Sequence, residues 1–541
     1  MSTLFGPVRR RCSAFVAPLS RRPLLLRSTG AALLSVLAVA CASTVEDAAA
    51  PAASEVRDGG GAQTEPACVI GAIRCRATLV SRCEADEGGP VAWSTPSSCP
   101  GDEGCRSERC EPPTARQRTQ AAAVAGLIAE LSAKSAWHED VDASAVTARE
   151  RAAILKGDGE DATYFGSAWR VMNAFPQGHQ GLYSAACDAA MPQQNTSRFG
   201  VCGRPAADGV VVTLASAQNK LGLRAGDIVL QAGADAGDAM LEAAYMRPVC
   251  GSVFPSKSGR QTAGAASFFA HVPPGAVLKV RDSGGAVRDV TVPKESDAKV
   301  IDCTDPFSRS RRIYAEATKR PDGVAVIRLP SFFPYDKMLG ANATDADVQA
   351  MLDAYRAKVA LVFDTVKDAP AIVWDARGNT GGFTPVALAI VSGFASARIA
   401  DLSYCRSREF GSSPIAYGVD TYAAYTVEPG GPFAYTGKVA VVTDGLAYSA
   451  GDYFPFAAAR GSSAVVVGMS AGAFGGGNGP IELAGPPTLF ANYDPTACFD
   501  ALTGAPLEGS PLPSTPIEYV PTDLAAGKDT PIERAVLALG L

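Results

Sequence analysis

Lys438-Val439-Ala440-Val441-Val442-Thr443-Asp444-Gly445-Leu446-Ala447-Tyr448-Ser449-Ala450-Gly451-Asp452-Tyr453-Phe454-Pro455 is the stretch on which the fold turns. Its first six residues form a β-branched, apolar run, the pattern of a strand buried on both faces. Small residues follow, and the chain then opens into a helix. A serine placed where a buried strand gives way to a helix stands at the sheet's edge, near the positive end of the helix dipole.

Working outward, the same alternation recurs. Val324–Leu329 is strand-like, 348–366 has helical periodicity, Ala371–Asp375 is a buried strand, 386–391 opens a helix, and 464–468 is another β-branched run. Strands alternating with helices imply an α/β layered core. Upstream, Gly209–Thr213, then Leu221-Gly222-Leu223-Arg224-Ala225-Gly226-Asp227-Ile228-Val229-Leu230, then a hairpin around Ser283-Gly284-Gly285, predict a β-rich unit. A cysteine-containing insertion, 235–267, divides it. Between residues 116 and 175, Ala122, Val124, Leu127, Ile128 and Leu131 fall on one helix face.

The 541 residues are 47% hydrophobic and 19% charged, a globular balance, and the net charge of −6 offers nothing to a nucleic acid. Arg9 to Arg11, Arg21, Arg22 and Arg27 precede the apolar stretch Ala31–Ala40 and Cys41. That is the layout of a signal peptide, too short for a membrane span. Leu37-Ala38-Val39-Ala40-Cys41 resembles a lipobox, and an ordinary cleavage site beside an incidental cysteine is the alternative. Residues 42–66 read as a flexible tether. Six cysteines (Cys68, Cys75, Cys83, Cys99, Cys105, Cys110) lack paired knuckle spacing and a nearby histidine, so disulfides are expected rather than zinc. For the other six the expectation is that neighbours pair: Cys187 with Cys202, Cys250 with Cys303, Cys405 with Cys498.

Three segments carry a family resemblance. Asp375-Ala376-Arg377-Gly378-Asn379-Thr380-Gly381-Gly382 resembles the D-x-R-x-N-x-G-G turn of the C-terminal processing and tricorn-type serine peptidases. The Ser449 segment is similar to the tricorn branch's S-x-G-D-x-F-P. Leu507-Glu508-Gly509, with Pro513, Ile517 and Gly527-Lys528-Asp529, resembles the family's closing stretch. Leu221–Leu230 resembles a PDZ turn, which implies a groove that takes an extended peptide as an added strand. The resemblance implies a ClpP/crotonase-like layered core. The expected layout is a signal peptide with lipobox (1–41), linker (42–66), disulfide module (67–112), helical region carrying the base (113–204), PDZ-like domain (205–300) and α/β peptidase core (301–541).

A serine hydroxyl needs a base. The processing peptidases use a lysine in a glycine-rich turn, but the turn here, Gly472-Ala473-Phe474-Gly475-Gly476-Gly477-Asn478-Gly479, has none, and no lysine lies between Lys438 and Lys528. The tricorn branch and the related chlamydial secreted protease draw a histidine from before the PDZ-like region. His179, in Gly178-His179-Gln180-Gly181, resembles that family's G-H-x-G turn. His138 and His271 are read as structural.

The resemblance makes Glu508 the acid behind His179. Where the tricorn pattern has a serine linking the two, this chain has Gly178, so Glu508 is expected to act directly, through water or through another hydroxyl. Backbone amides of Gly381 or Gly382 and of Ala450 are expected to form the oxyanion hole. Asn379 would hold the oxyanion turn, and Asp452 would serve the dipole of the nucleophile helix.

The resulting expectation is an exported, lipid-anchored serine endopeptidase of the bacterial envelope acting on peptides or proteins. It needs no metal or organic cofactor. An unperturbed imidazole base would make activity rise near pH 6.5. The rival is a catalytically inactive protein of the same fold that binds a peptide or hydrophobic ligand.

Overall fold

The computed structural model describes residues 73–541, apart from segments at 77–78, 86–90, 107, 137–139, 248–249, 297–298, 335–343, 413–414, 423–424, 477–478 and 511–515. The signal segment, Cys41, the tether, Cys68 and His138 lie outside the described residues.

At the centre is a five-stranded sheet in the order Glu316–Lys319, Ala325–Arg328, Ala371–Asp375, Lys438–Val442, Val465–Val467. The last four run parallel, and only the first edge strand is antiparallel. Parallel pairing requires crossover connections, and helices supply them. Asp345–Asp364 begins with a reciprocal capping box between Thr344 and Asp347. Thr384–Ser392 and the nucleophile helix Ala450–Gly461 follow, and Thr530–Ala538 packs against the sheet near the chain's end. Ile372 and Trp374 point into one apolar cluster and Ala371 and Val373 into another, so the central strand is buried on both faces, as its unbroken apolar run predicts.

The β-rich unit is an antiparallel sheet ordered Val287–Thr291, Val277–Arg281, Ile228–Ala232, Gly209–Ala215, Val201–Ala206. The insertion after Asp235 is largely helical, with Gly237–Met246 and Lys257–His271 packed on each other. Ahead of this unit come three helices, Ala115–Lys134, Ala143–Lys156 and Asp161–Ala174.

These regions share their packing. One buried cluster joins Val124 and Trp169 of the N-terminal helices to Leu182, Leu446, Tyr448 and Ala473 beside the nucleophile. A short strand, Gly181–Tyr183, pairs antiparallel with Leu489–Tyr493, setting Gly181 opposite Asn492.

Among the later cysteines only Cys405–Cys498 forms as expected, directly across two paired strands. Cys187 bonds Cys250 and Cys202 bonds Cys303, overturning the neighbour rule, because Gly251–Ser252 pairs with Gly181–Leu182 and Ile301–Asp302 with Thr196–Ser197, which brings segments distant in sequence together. In the first module Cys75 bonds Cys105, Cys99 bonds Cys110, and Cys83 is also disulfide-bonded.

Candidate active site

Strand Lys438–Val442 lies inside the sheet, so the turn after it is framed by neighbours on both sides. Asp444 Oδ1 accepts the amides of Gly378 at 2.9 Å and Leu446 at 3.1 Å, clamping the nucleophile turn to the glycine turn. Ser449 then caps the helix with φ 60° and ψ −121°, a backbone conformation that a residue with a Cβ rarely adopts. Its surroundings impose it. Ser449 N–H donates to the Ala473 carbonyl at 3.0 Å and Tyr448 N–H to the Asn379 carbonyl at 2.9 Å. Gly451 admits that carbonyl because a Cβ there would lie 2.2 Å from it. Ser449 is half-buried, and its hydroxyl makes no hydrogen bond to another described residue.

The glycine turn lies against it. A Cβ on Gly381 would come within 2.7 Å of Ser449 Cβ and 3.1 Å of the Ala450 nitrogen. Asn379 accepts the Gly381 N–H at 2.9 Å and donates to the Leu329 carbonyl at 2.9 Å, so it holds the turn by its side chain. The Gly381 amide is therefore occupied. The amides of Gly382 and Ala450 have no hydrogen-bond partner among the described residues, and they are the donors open to an oxyanion. Beneath, Arg377 bridges Asp375 at 2.8 Å and Asp529 at 2.6 Å, which gives the D-x-R motif and the distant Gly527-Lys528-Asp529 stretch one joint purpose. Burial opposes the Asp375 charge, but the Arg377 guanidinium outweighs it and holds this carboxyl far below its usual range.

His179 reaches the nucleophile turn from 270 residues away. Its backbone N–H donates to the Tyr448 hydroxyl, and its ring lies 4.7 Å, centroid to centroid, from that of Tyr448. The residue has φ 61°. Burial lowers its pKa to about 4, which leaves the ring neutral near pH 7.

Continuing the strand register past Gly181 and Asn492 sets His179 opposite Asp494. There, Asp494 Oδ2 lies 3.8 Å from His179 Nδ1, and both atoms are buried without a hydrogen-bond partner. The other oxygen of Asp494 accepts the Thr496 amide at 2.9 Å. Sequence reasoning missed this acid, because Asn492-Tyr493-Asp494-Pro495 is a plain strand-to-strand turn with no motif, and only the pairing exposes it.

Glu508, expected behind the imidazole, instead accepts three backbone amides: those of Gly178, of Phe474 at 3.1 Å and of Gly475 at 3.3 Å. It acts on the residue before the histidine rather than on the ring. The glycine in place of the family's serine follows from packing, since a Cβ on Gly178 would fall 2.4 Å from Ala473 Cβ and 2.7 Å from Glu508 Oε1. Asp452 lies in the first turn of the nucleophile helix as expected. Its carboxylate also fastens the amides of Gly472 at 2.9 Å and Ala473 at 3.0 Å, the segment that holds Ser449. Burial pushes Asp452 up to about 7 and Glu508 up to about 8. It also raises Asp494 well above the usual carboxylate range, with the charge of Glu508 adding to the effect. His271 ends the helix Lys257–His271 and lines a cavity with Asp235 and Arg247, within the β-rich unit.

Residues 323–494 match the family model "Peptidase family S41". The matched span contains the glycine turn, Ser449 and Asp494, and leaves His179 and Glu508 on either side. No curated protein matches the chain. Among solved structures, mature CPAF complexed with lactacystin aligns at 13% identity with a TM-score of 0.56, covering 79% of this chain and 98% of that one. Mature CPAF alone aligns at 13% identity and TM-score 0.56, covering 79% and 97%. At such identity the likeness is one of fold.

Proposed function

We propose, from the match of residues 323–494 to peptidase family S41, that the chain is a serine-type peptidase in which Ser449 attacks peptide bonds with His179 as its base. Ser449 Oγ bonds to the scissile carbonyl carbon while its proton passes to His179. The imidazolium returns that proton to the departing amine, leaving an acyl-enzyme. Water, deprotonated by the same ring, then releases the acid. The amides of Gly382 and Ala450 receive the oxyanion. Asp494 orients the ring through Nδ1 and stabilises the imidazolium, while Glu508 and Asp452 hold the backbone on either side.

The observation that carries this reading is the convergence on one turn. A strained, half-buried Ser449 abuts the Gly381 backbone, and its neighbour Tyr448 holds the His179 backbone. A serine-directed fluorophosphonate tests it. Labelling should vanish in Ser449→Ala and fall sharply in His179→Ala. A well-folded wild type that takes no label overturns the enzyme in favour of a ligand-holding protein.

Export and anchoring through Cys41 belong to the same proposal, supported by the basic, apolar N-terminal pattern and by disulfides that persist only in an oxidising compartment. The β-rich sheet of residues 201–291 would act as a PDZ-like dock for an extended substrate.

A further inference from the structure

Beside the glycine turn, on the side of Ser331, opens a cleft of about 440 Å³ lined by Asp302, Arg311, Arg312, Phe333, Thr380 and the two glycines. The same Gly381 that touches Ser449 forms its wall, so whatever enters the cleft sits next to the reacting bond. Two guanidiniums face one carboxylate there. Arg311 is fixed by a hydrogen bond to Thr380 Oγ1 at 2.5 Å and lies 3.7 Å from Asp302. Arg312 is exposed and has no ion pair among the described residues.

The loop bearing these arginines is rigidly mounted. Cys303 is tied to Cys202, and Asp305 accepts the amides of Phe307 at 2.9 Å and Arg309 at 3.2 Å. Arg309 bridges Asp305 at 2.9 Å and Asp375 at 3.2 Å, and Asp375 ends the strand that leads into the glycine turn. Arginine presents a planar fork of donors suited to carboxylates, and mounting it on a fixed loop lowers the entropy lost on binding.

We propose that this cleft is a specificity pocket for a carboxylate of the substrate chain, bound by Arg312 with Arg311 beside it. The proposal rests on the Ser449 peptidase reading. The carboxylate comes either from a glutamate or aspartate side chain next to the scissile bond or from a nearby chain end. Phe333 at the rim, stacked on Phe383 with centroids 5.6 Å apart, offers an apolar surface for the methylenes that carry it.

The test uses the full chain and three otherwise identical quenched-fluorescent peptides. One carries an internal glutamate and an amidated end, one a glutamine and a free C-terminal carboxylate, and one a glutamine and an amidated end. Either carboxylate peptide should be cleaved with a kcat/KM about tenfold to a hundredfold above the neutral one, as expected for a charge-assisted contact. Which of the two leads identifies the source. Arg312→Ala should erase that margin, and Arg312→Glu should reverse it, with the neutral peptide cleaved faster than either carboxylate peptide. Cleavage without carboxylate preference, or with a preference that survives in Arg312→Ala, overturns the pocket and leaves the peptidase intact. Absent fluorophosphonate labelling of wild-type Ser449 removes both readings together.

Discussion

Asp494 and His179 face each other across the end of a strand pair, Oδ2 3.8 Å from Nδ1, each atom buried and neither with a hydrogen-bond partner. In the proposed mechanism, this contact just beyond hydrogen-bond reach is the resting form of a base and its orienting acid. Such contacts tighten when substrate closes the site.

If Asp494 positions the ring, Asp494→Asn should lower kcat by about 10³ or more, because an amide can present a donor to Nδ1 and trap the wrong tautomer. Burial and the neighbouring Glu508 both resist ionisation of Asp494, so its charged form gains population as pH rises. Wild-type kcat/KM should therefore climb with pH above the range of an ordinary carboxylate, and the variant should flatten that climb. Glu508→Gln should chiefly lower Tm, since it places an amide NH2 against backbone donors. A larger kcat loss in Glu508→Gln than in Asp494→Asn would return the acid's role to Glu508.

Burial also makes the histidine itself a stability sensor. The unfolded imidazole takes up a proton below about pH 6.5, whereas the folded ring resists until about 4. The folded state thus keeps its full stability above 6.5 and loses up to about 3 kcal/mol from this group as pH falls to 4. Urea midpoints at pH 7 and pH 5 should fall further apart in wild type than in His179→Gln. Equal spacing in the two proteins would place the ring in water. The limb of the activity profile set by His179 itself is displaced below the pH of about 6.5 expected of a free imidazole for the same reason, so the climb at higher pH belongs to Asp494.

What the sequence revealed follows the chain's own continuity. Ser449, Ala450, Asn379 and the two glycines lie in two contiguous turns whose chemistry reads locally, as does the strand–helix alternation around them. The pairing of Cys187 with Cys250 and of Cys202 with Cys303 depends on which strands meet, which no spacing encodes. Asp494 was hidden for the same reason, since its position opposite His179 exists only once Gly181–Tyr183 joins Leu489–Tyr493. The helices Gly237–Met246 and Lys257–His271 are obscured in the sequence by interior glycines and serines such as Gly259, Gly264 and Ser267, which are poor helix formers.

The glycine before His179 supplies the last test, because it opposes inference from resemblance to inference from packing. By resemblance, Gly178→Ser restores a hydroxyl link between acid and base and should raise activity. By packing, the new Cβ falls 2.4 Å from Ala473 Cβ, and Ala473 supplies the carbonyl that holds the Ser449 amide at 3.0 Å. Relief requires moving either the Gly472–Gly475 segment, which Asp452 and Glu508 pin from two sides, or the His179 loop. Overpacking of this kind costs about 1–3 kcal/mol. Gly178→Ser should accordingly lower Tm by several degrees and cut fluorophosphonate labelling at Ser449, with Gly178→Ala behaving alike because the clash lies at Cβ. A serine variant more active than wild type would mean that Ala473 yields easily, and that a hydroxyl bridge from Glu508 to the ring is the working arrangement.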